Sequence, residues 1–400
     1  MKRVVVTGLG SVSPCGTTNE EILSAINNHK QCFVKSKWDV VEFYGEVSED
    51  YKYSLNKKKI RYTDKVSQLA LYASESAILD SRLKLNNLNK ERCGISIGTS
   101  MGGFQTLHTE LTESALHGLE KISLLGMPKL LHNMISANLS IALNFKGGVY
   151  TYNNACASSA TAIGEAFQKI QRDEFDVMLV GGSECCISEQ VFKSFHRLGA
   201  LSRSTNIDKA SIPFSKDRNG FILSEGAALL VLEEYEHAIA RNAPIYCEIK
   251  GYATTSDASS LVAPDIDGIT RCMKKALDNA KIIASEVTYI NAHGTGTQAN
   301  DLIEAMAINK IFKSPFVSST KSVHGHLLGA SGALEALLCC LMIRNKQLFA
   351  QSNVSYSDVD PEINLNLLLG DSINYEGGNI LSNSFDFGGS NVSLVFSNEY

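Results

Sequence analysis

Short apolar runs alternate along this chain with segments in which apolar residues recur every three or four positions. The first pattern predicts buried strands and the second predicts amphipathic helices. Helices are predicted at residues 20–29, with Thr18 or Asn19 as the N-cap, and at residues 66–79, 158–172 and 269–280. Strands are predicted at residues 4–8, 93–98, 147–153, 176–181, 227–233, 246–252, 287–292 and 394–396.

The same order of elements occurs twice. Residues 246–252 resemble the opening strand and its glycine, and strand 287–292 ends in a glycine-rich loop, as strand 93–98 does. Such self-similarity indicates an internal duplication. We therefore predict an α/β fold with two duplicated α/β halves, residues 1–240 and 241–400, in which sheets lie between helix layers.

The composition is typical of a globular protein with two linked halves. A chain of 400 residues exceeds the ~250–300 residues at which single cores stop growing, and 44% hydrophobic residues can bury a sizeable core. A net charge of −5 does not predict nucleic-acid binding, which favours a strongly basic domain. The first apolar run is too short for a signal peptide and no apolar span of ~20 residues follows, so we expect a cytoplasmic protein without a membrane anchor.

The ten cysteines are spread along the chain without a C-x-x-C pair. Zinc ligands cluster at short spacings, so this distribution predicts no metal site. The pairs Cys185-Cys186 and Cys339-Cys340 lie in apolar runs, where cysteine packs as a small hydrophobe. Most of the ten are therefore expected to be structural.

One cysteine has a different setting. Cys156 follows a predicted strand and lies at the start of the predicted helix 158–172, among small residues. The dipole and the free N–H groups of a helix N-terminus favour a thiolate, so the sequence predicts a lowered pKa for this thiol. A buried structural cysteine is the simpler interpretation of Cys156 taken alone.

Two histidines favour the functional interpretation. His293 follows a predicted strand and begins the loop HGTGT, and His326 lies in the segment KSVHGHLLGASG before a helix of small residues. A neutral imidazole at a strand end can donate a hydrogen bond to a developing oxyanion without a metal. Either histidine alone is more often structural, but both together with Cys156 indicate a catalytic site.

Several long motifs then occur in order along the chain. They are VTGLG at residues 6–10, ACAS around Cys156, PFSKDRNGF at 213–221, HGTGT at 293–297, STK at 319–321, GH at 325–326, NSF at 383–385 and FGGSN at 387–391. In these motifs, and over nearly its whole length, the chain resembles the elongating β-ketoacyl-acyl carrier protein synthases of the thiolase superfamily. The resemblance implies a thiolase-like layered fold and a decarboxylating Claisen condensation with malonyl-acyl carrier protein.

The resemblance also implies a role for each central residue. Cys156 would accept an acyl group from the phosphopantetheine of an acyl carrier protein. His293 and His326 would bind the thioester carbonyl of a malonyl extender and stabilise the enolate, and Lys321 would orient this pair. A thioester suits a soft cysteine nucleophile, and no metal, flavin or nicotinamide is implied.

Further positions follow from the same resemblance. Thr295 and Thr297 would line the pantetheine arm, and the backbone N–H groups of Cys156 and Phe387 would form the oxyanion hole. His324, which is unusual beside His326, is expected to be structural or solvent-facing.

The chain departs from the family pattern in its C-terminal gating loop. The family usually has glycine between two phenylalanines, whereas here the sequence is Phe385-Asp386-Phe387, and aspartate lacks the freedom of glycine at positive φ. This departure suggests a specialised polyene or polyketide enzyme. The resemblance implies an obligate dimer, either a homodimer or a heterodimer with a chain-length-factor-like homologue, and Met101 matches a position that lines the acyl pocket.

A basic cluster is the candidate docking site for the acidic carrier protein. Because the chain as a whole is acidic, steering must come from a local patch. The densest one is Lys57-Lys58-Lys59 with Arg61, followed by Lys65. A solvated turn without a partner is the alternative interpretation.

Three other classes fit less well. The spacing from Cys156 to His293 resembles that of papain-like proteases, but the motif around that nucleophile is missing. A degradative thiolase carries a second catalytic cysteine near its C-terminus, and none follows Cys340. A non-catalytic chain-length partner would lack the nucleophile, which is present here; labelled acyl transfer separates this last alternative from an enzyme.

Overall fold

The structure is a computed structural model that describes residues 1–399, without the side chains of residues 53 and 54. Strands β1–β14 are Val4–Val12, Val34–Lys35, Phe43–Tyr44, Cys93–Gly98, Val149–Tyr152, Val177–Glu184, Gly226–Glu234, Cys247–Ser256, Val287–Asn291, Phe316–Ser318, Gln347–Leu348, Ile373–Asn374, Asn379–Phe385 and Ser390–Ser397. Helices α1–α13 are Asn19–Asn27, Lys57–Tyr62, Lys65–Asp80, Phe104–His117, Gly126–Leu130, Met134–Leu143, Ser158–Gln171, Glu189–Arg197, Tyr235–Ala240, Ile266–Ala280, Gln298–Asn309, Lys321–His324 and Ser331–Asn345.

The elements predicted from the sequence are present, with ends that shift by a few residues. Strand β4 has its predicted bounds, and α1 begins at its predicted N-cap Thr18. The Thr18 side chain accepts from the N–H of Glu21, whose carboxylate accepts from the N–H of Thr18, so the two ends of the turn are joined. The basic segment that was open to interpretation as a turn forms the short helix α2, capped by Asn56.

Ten strands form one mixed sheet in the order β10-β9-β13-β14-β8-β1-β7-β6-β4-β5. Strands from before residue 240 lie on one side of the β1–β8 pair and strands from after it lie on the other. Outward from that pair, both sides have two antiparallel pairings followed by two parallel ones. The predicted α/β class is confirmed, whereas the division of the chain into separate units at residue 240 stays a prediction.

Helices cover both faces of this sheet. Helix α3 packs on β1 and β7, and α10 packs on β8 and β14. Helices α7 and α13 each contact strands from before residue 240 and strands from after it. These two helices therefore form a layer that packs against both groups of strands. Their buried apolar side chains and those of the strands belong to one hydrophobic core.

Among the described residues, one helical stretch could cross a membrane if only its length and its apolar composition are considered. It is Leu328–Asn345, of which 89% is buried inside the protein. A helix that is apolar all round is expected in the core of a large protein. The packing of α13 against α7 and the sheet accounts for its composition.

The parallel strands bring their ends to one place. Strands β4, β5 and β6 run parallel, and so do β9, β10 and β13, with one irregularity in the register of β13 against β9 at Asn379–Ile380. Ligand sites in α/β sheets lie beyond the carboxyl ends of parallel strands. Cys156 follows β5, His293 follows β9, and Lys321 follows β10, so both sides of the sheet supply residues to the same region.

Candidate active site

Cys156, the predicted nucleophile, lies in a tight turn between a strand and a helix. Cys156 occupies a single 3-10 turn, Ala155–Ala157, between β5 and the central helix α7. Ala155 has a φ of 39°, in the left-handed region that non-glycine residues rarely adopt. The hydroxyl of Ser158 donates to the carbonyl of Ala155 at 2.7 Å and accepts from the N–H of Asn154 at 2.9 Å. The strained turn is thus held by hydrogen bonds, with the thiol of Cys156 facing the cavity.

The electrostatic setting of this thiol corrects the sequence-based prediction of a lowered pKa. The pKa of Cys156 is raised to about 12, mainly by burial and then by the charge of Asp386, while Lys321 acts in the opposite direction. Desolvation of a buried thiolate therefore outweighs the helix N-terminus. Cys156 is a thiol at neutral pH, and its attack on a thioester requires a base within reach.

His326 is within reach of this thiol. Its Nε2 lies 3.1 Å from the Sγ of Cys156, and its Nδ1 lies 2.8 Å from the hydroxyl oxygen of Ser331. Ser331 is the first residue of α13, and the same oxygen accepts from the N–H of Leu327 at 2.8 Å. The ring edge meets Phe221 with 5.0 Å between centroids. Both nitrogens and one face of the imidazole are therefore fixed.

His293 faces His326 across the cavity, with 5.4 Å between ring centroids and an interplanar angle of 80°. The carboxylate of Glu304 accepts from the N–H groups of His293 and Gly294, each at 2.8 Å. The carbonyl of His293 accepts from the Nζ of Lys321 at 2.6 Å. The backbone around His293 is thus held from two sides while its side chain remains free for a substrate.

Lys321 lies behind the two histidines rather than in the cavity. It is 1% exposed and forms a buried ion pair with Glu335 on α13. Burial, followed by the charge of Lys321, holds the pKa of both His293 and His326 well below the usual value. Both imidazoles are neutral at physiological pH, so each offers one N–H donor and one acceptor nitrogen.

The residues named from the sequence meet in one cavity of about 450 Å³. Cys156, His293 and His326 are among its lining residues. The other predicted residues that line it are Met101, Thr295, Thr297, Phe385, Asp386 and Phe387. The hydroxyl oxygens of Thr295 and Thr297 lie 2.9 Å apart, which gives the apolar cavity a polar strip.

The gating-loop aspartate forms a closed turn. The Oδ1 of Asp386 accepts from the N–H of Ser390 at 2.7 Å, and the N–H of Asp386 donates to the carbonyl of Ser390 at 3.1 Å. Asp386 itself does not adopt a positive φ; Gly388 and Gly389 do, at 105° and 75°. The expected strain at Asp386 is therefore absent in this loop state. Burial raises the pKa of the Asp386 carboxyl to about 7, the hydrogen bond from Ser390 opposes the shift, and Asp257 adds to it.

The basic cluster lies away from the residues that line the cavity. Lys57, Lys58 and Arg61 are exposed on α2, while the Nζ of Lys59 lies 2.7 Å from a carboxylate oxygen of Glu75. Lys65, which the sequence placed beside the cluster, is largely buried and pairs with Glu225 at 2.6 Å. The available charges are thus those of α2. Whether they form a docking site stays a prediction.

His324 is buried rather than solvent-facing. It is 1% exposed, and its Nε2 lies 2.9 Å from the hydroxyl oxygen of Thr320. The structural interpretation therefore applies. In the described part of the chain no group of three or more His, Cys, Asp or Glu side chains is arranged to hold a metal ion, and the ten cysteines are free and buried.

Sequence reasoning missed several residues that shape the site. Ser331 orients His326, Glu304 holds the His293 turn, and Phe221 packs on the His326 ring. Ser331 stands five residues after His326 at the start of a helix, which is a signal that the sequence contains. Glu304 is 11 residues beyond His293, on the helix that follows the His293 loop, whereas Phe221 is distant from His326 in sequence and only the fold brings the two together.

Family models match most of the chain. Residues 1–238 match the model described as "Beta-ketoacyl synthase, N-terminal domain", and residues 246–355 match "Beta-ketoacyl synthase, C-terminal domain". The chain belongs to the β-ketoacyl synthase family. It is an acyltransferase that performs a decarboxylating condensation, so the function and thiolase-like fold predicted for this synthase from the sequence are confirmed.

Individual relatives cover nearly all of the synthase. The "3-oxoacyl-[acyl-carrier-protein] synthase 2" of Staphylococcus aureus strain N315 is 37% identical over 410 aligned positions, which cover 99% of this chain and 98% of that protein. The structure titled "The ishigamide ketosynthase/chain length factor" has a TM-score of 0.93 at 29% identity and covers 100% of both chains. A type II PKS acyl-carrier protein in complex with its ketosynthase bound to the hexaketide has a TM-score of 0.89 at 30% identity and covers 99% of both.

Proposed function

We propose that this synthase elongates an acyl chain held on Cys156, with His326 and His293 serving both half-reactions and malonyl-acyl carrier protein as the extender. The observation that carries the assignment of roles is the 3.1 Å contact between the Sγ of Cys156 and the Nε2 of His326, with His293 facing the same point. A nucleophile in hydrogen-bond contact with a base that a third group orients is the arrangement of covalent catalysis.

The loading half-reaction uses Cys156 and His326. The Sγ of Cys156 attacks the carbonyl carbon of an acyl thioester while its proton passes to the Nε2 of His326. The backbone N–H groups of Cys156 and Phe387 stabilise the oxyanion. The C–S bond to phosphopantetheine then breaks, the carrier thiolate takes the proton back from His326, and the acyl group remains on Cys156.

The condensing half-reaction uses both imidazoles as donors. The N–H groups of His293 and His326 point at the thioester carbonyl of the malonyl group, and the enolate oxygen gains their hydrogen bonds as carbon dioxide leaves. The enolate carbon attacks the acyl carbonyl on Cys156 and a C–C bond forms as the C–S bond to Cys156 breaks. The negative charge of the enolate then rests on the Cys156 thiolate, which takes up one proton from solvent when the product leaves. Lys321 adds a positive charge behind the donors, in a site from which water is excluded.

The carrier supplies the only prosthetic group in this proposal. Its phosphopantetheine arm would pass Thr295 and Thr297, whose hydroxyl groups suit the amides of the arm, and its acidic surface would meet Lys57, Lys58 and Arg61. We also propose a cytoplasmic location, and a first half, residues 1–240, that supplies the nucleophile to histidines from a second half, residues 241–400.

A specialised polyene or polyketide substrate is the finer proposal. It is supported by Asp386 in the gating loop, by Met101 in the cavity wall, and by the resemblance to a ketosynthase/chain length factor structure. The synthase would act as a dimer, with an identical copy or with a chain-length-factor-like homologue.

Mass spectrometry of a reconstituted reaction tests this proposal. The purified synthase is mixed with acyl-acyl carrier proteins of graded chain length and unsaturation and with malonyl-acyl carrier protein. A β-ketoacyl product two carbons longer is expected, together with an acyl adduct on Cys156. An acyl adduct on Cys156 without a lengthened product would refute the condensing role. Equal rates with short saturated chains and with long or unsaturated chains would refute the specialised substrate.

A further inference from the structure

Glu184 is a buried acidic residue without a part in the proposed reaction. It is the last residue of β6, and it is 0% exposed. Burial raises the pKa of its carboxyl group above the usual value, and hydrogen bonds from Ser100, Met101 and Gly329 oppose that shift. In the described part of the chain no Lys, Arg or His forms a salt bridge with it. Burial of an unpaired carboxylate is costly unless hydrogen bonds compensate for lost water. Its position therefore needs an explanation from the groups that it binds.

Three backbone N–H groups surround this carboxylate. The Oε2 of Glu184 accepts from Ser100 at 2.7 Å and from Gly329 at 3.1 Å, and the Oε1 accepts from Met101 at 3.1 Å. Ser100 and Met101 belong to the loop after β4, while Gly329 lies three residues beyond His326. A single side chain thus joins segments from the two sides of the sheet.

Both segments border the cavity. Ser100, Met101 and Leu328 line it, and the hydroxyl of Ser100 donates to the carbonyl of Ala155, next to Cys156, at 3.1 Å. A Cβ at Gly329 would lie 2.5 Å from the nitrogen of Ser100 and 2.7 Å from the Oε2 of Glu184. The two backbones therefore approach too closely for a side chain, and the carboxylate fills the gap that remains between them.

We propose that Glu184 is a positioning residue for chain selection: by holding the Ser100–Met101 loop against Gly329, it sets the wall of the cavity that meets the acyl chain on Cys156. This inference rests on the proposed condensation and deepens it. The negative charge has a second consequence, since it adds to the groups that raise the pKa of Cys156.

Two substitutions separate position from charge. Glu184→Gln keeps the shape of the side chain and removes its charge. It also replaces one accepting oxygen by an NH2 group, which cannot accept from a backbone N–H, so at least one hydrogen bond is lost. Glu184→Asp keeps the charge but falls one methylene short of the loop. Both should change the ratio of Cys156 loading rates for long and short acyl carriers by roughly tenfold. Only Glu184→Gln should also speed alkylation of Cys156 by iodoacetamide at fixed pH, because the thiolate becomes less unfavourable.

The matched control is Glu233→Gln. Glu233 is equally buried but pairs with Arg241 away from the cavity residues, so its substitution should lower thermal stability without changing the loading ratio. If either Glu184 variant keeps the parental loading ratio while losing stability like the control, Glu184 is only a structural anchor and the inference is wrong. If both Glu184 variants fail to fold, Ser100→Ala, which removes the side-chain contact of Ser100 with Glu184 as well as its bond to Ala155, must change the ratio for the inference to stand.

The behaviour of the parent protein distinguishes failure of the inference about Glu184 from failure of the proposed condensation. A parent that loads and condenses while the variants match its chain preference overturns the role of Glu184 alone. A parent that forms no lengthened product overturns the proposed function, whereas the alkylation rates still report on the charge of Glu184 beside Cys156.

Discussion

The imidazole of His326 is placed so that it can serve Cys156 in either tautomer. Its Nε2 lies 3.1 Å from the Sγ, and its Nδ1 lies 2.8 Å from the hydroxyl of Ser331, which can donate or accept. When the hydroxyl accepts, the Nε2 is a base for the thiol. When it donates, the Nε2 carries the proton and can donate to an enolate. One serine therefore allows one histidine to serve both half-reactions.

Replacement of the nucleophile should abolish loading. In Cys156→Ala no acyl adduct should form, because in the described structure no other cysteine lies within hydrogen-bond distance of His326. Intact mass after incubation with acyl-acyl carrier protein measures the adduct. Cys186→Ala, a change at a fully buried cysteine of the same apolar cluster, is the control and should still be acylated. An adduct on Cys156→Ala would show that the nucleophile is elsewhere.

Loss of one imidazole donor should uncouple the half-reactions. His293 makes no hydrogen bond to Cys156 in the structure, so His293→Ala should still be acylated, while decarboxylation of malonyl-acyl carrier protein falls about 10²–10³-fold. His326→Ala should lose the same step and also load more slowly, since it removes the base. Release of labelled carbon dioxide measures the effect, and His117→Ala, at an exposed position on α4, is the control. Parental release by His293→Ala would contradict its role.

Loosening the gating loop should broaden the substrate range. Asp386→Gly removes the hydrogen bond from the N–H of Ser390 that closes the turn beside Phe387. The loop should then adopt more states and admit chains that the parent rejects. Competition between acyl-acyl carrier proteins of different length measures the profile. Identical profiles for the two proteins would mean that Asp386 is incidental to selection.

The same carboxyl should make stability depend on pH. Its folded-state pKa is raised to about 7 from an ordinary value of 3.8, because burial disfavours the anion. The folded state therefore holds the proton more tightly, so the stabilisation is fully present below pH 3.8 and is lost as the pH rises through about 7. Relative to the parent, Asp386→Asn should gain free energy of unfolding between pH 5 and pH 8. Denaturant titrations at both pH values measure this difference, and a constant difference would contradict the raised pKa.

Charge reversal on α2 should weaken use of the carrier without affecting the chemistry. Lys58→Glu, Lys59→Glu and Arg61→Glu together should slow turnover of carrier-bound substrate most strongly at low salt, because rim charges act on association. Turnover of a small thioester mimic, which needs no docking, should stay near the parental rate. Loss of both activities together, or of neither at low salt, would place the docking surface elsewhere.

The sequence by itself determined the α/β class, eight of the strands and four of the helices, and part of the set of residues that meet in the cavity. Local pattern carries this information: Cys156 and His293 follow strands that their apolar runs predict, and Thr18 marks its helix start by a capping box. The short strand β10 before Lys321 was not predicted. The motifs around these residues added the chemistry.

Only the tertiary structure decided the pKa values in the site and the long-range hydrogen bonds and ion pairs around it. The sequence places Cys156 before a helix and so predicts a lowered pKa, but the thiol is buried, and desolvation reverses the shift. Lys65 belongs to a basic run in sequence yet pairs in the interior with Glu225. Glu184 touches Gly329 across 145 positions of the chain. Burial and long-range hydrogen bonds depend on how the whole sheet closes around a site, so they cannot be determined from any local stretch of residues.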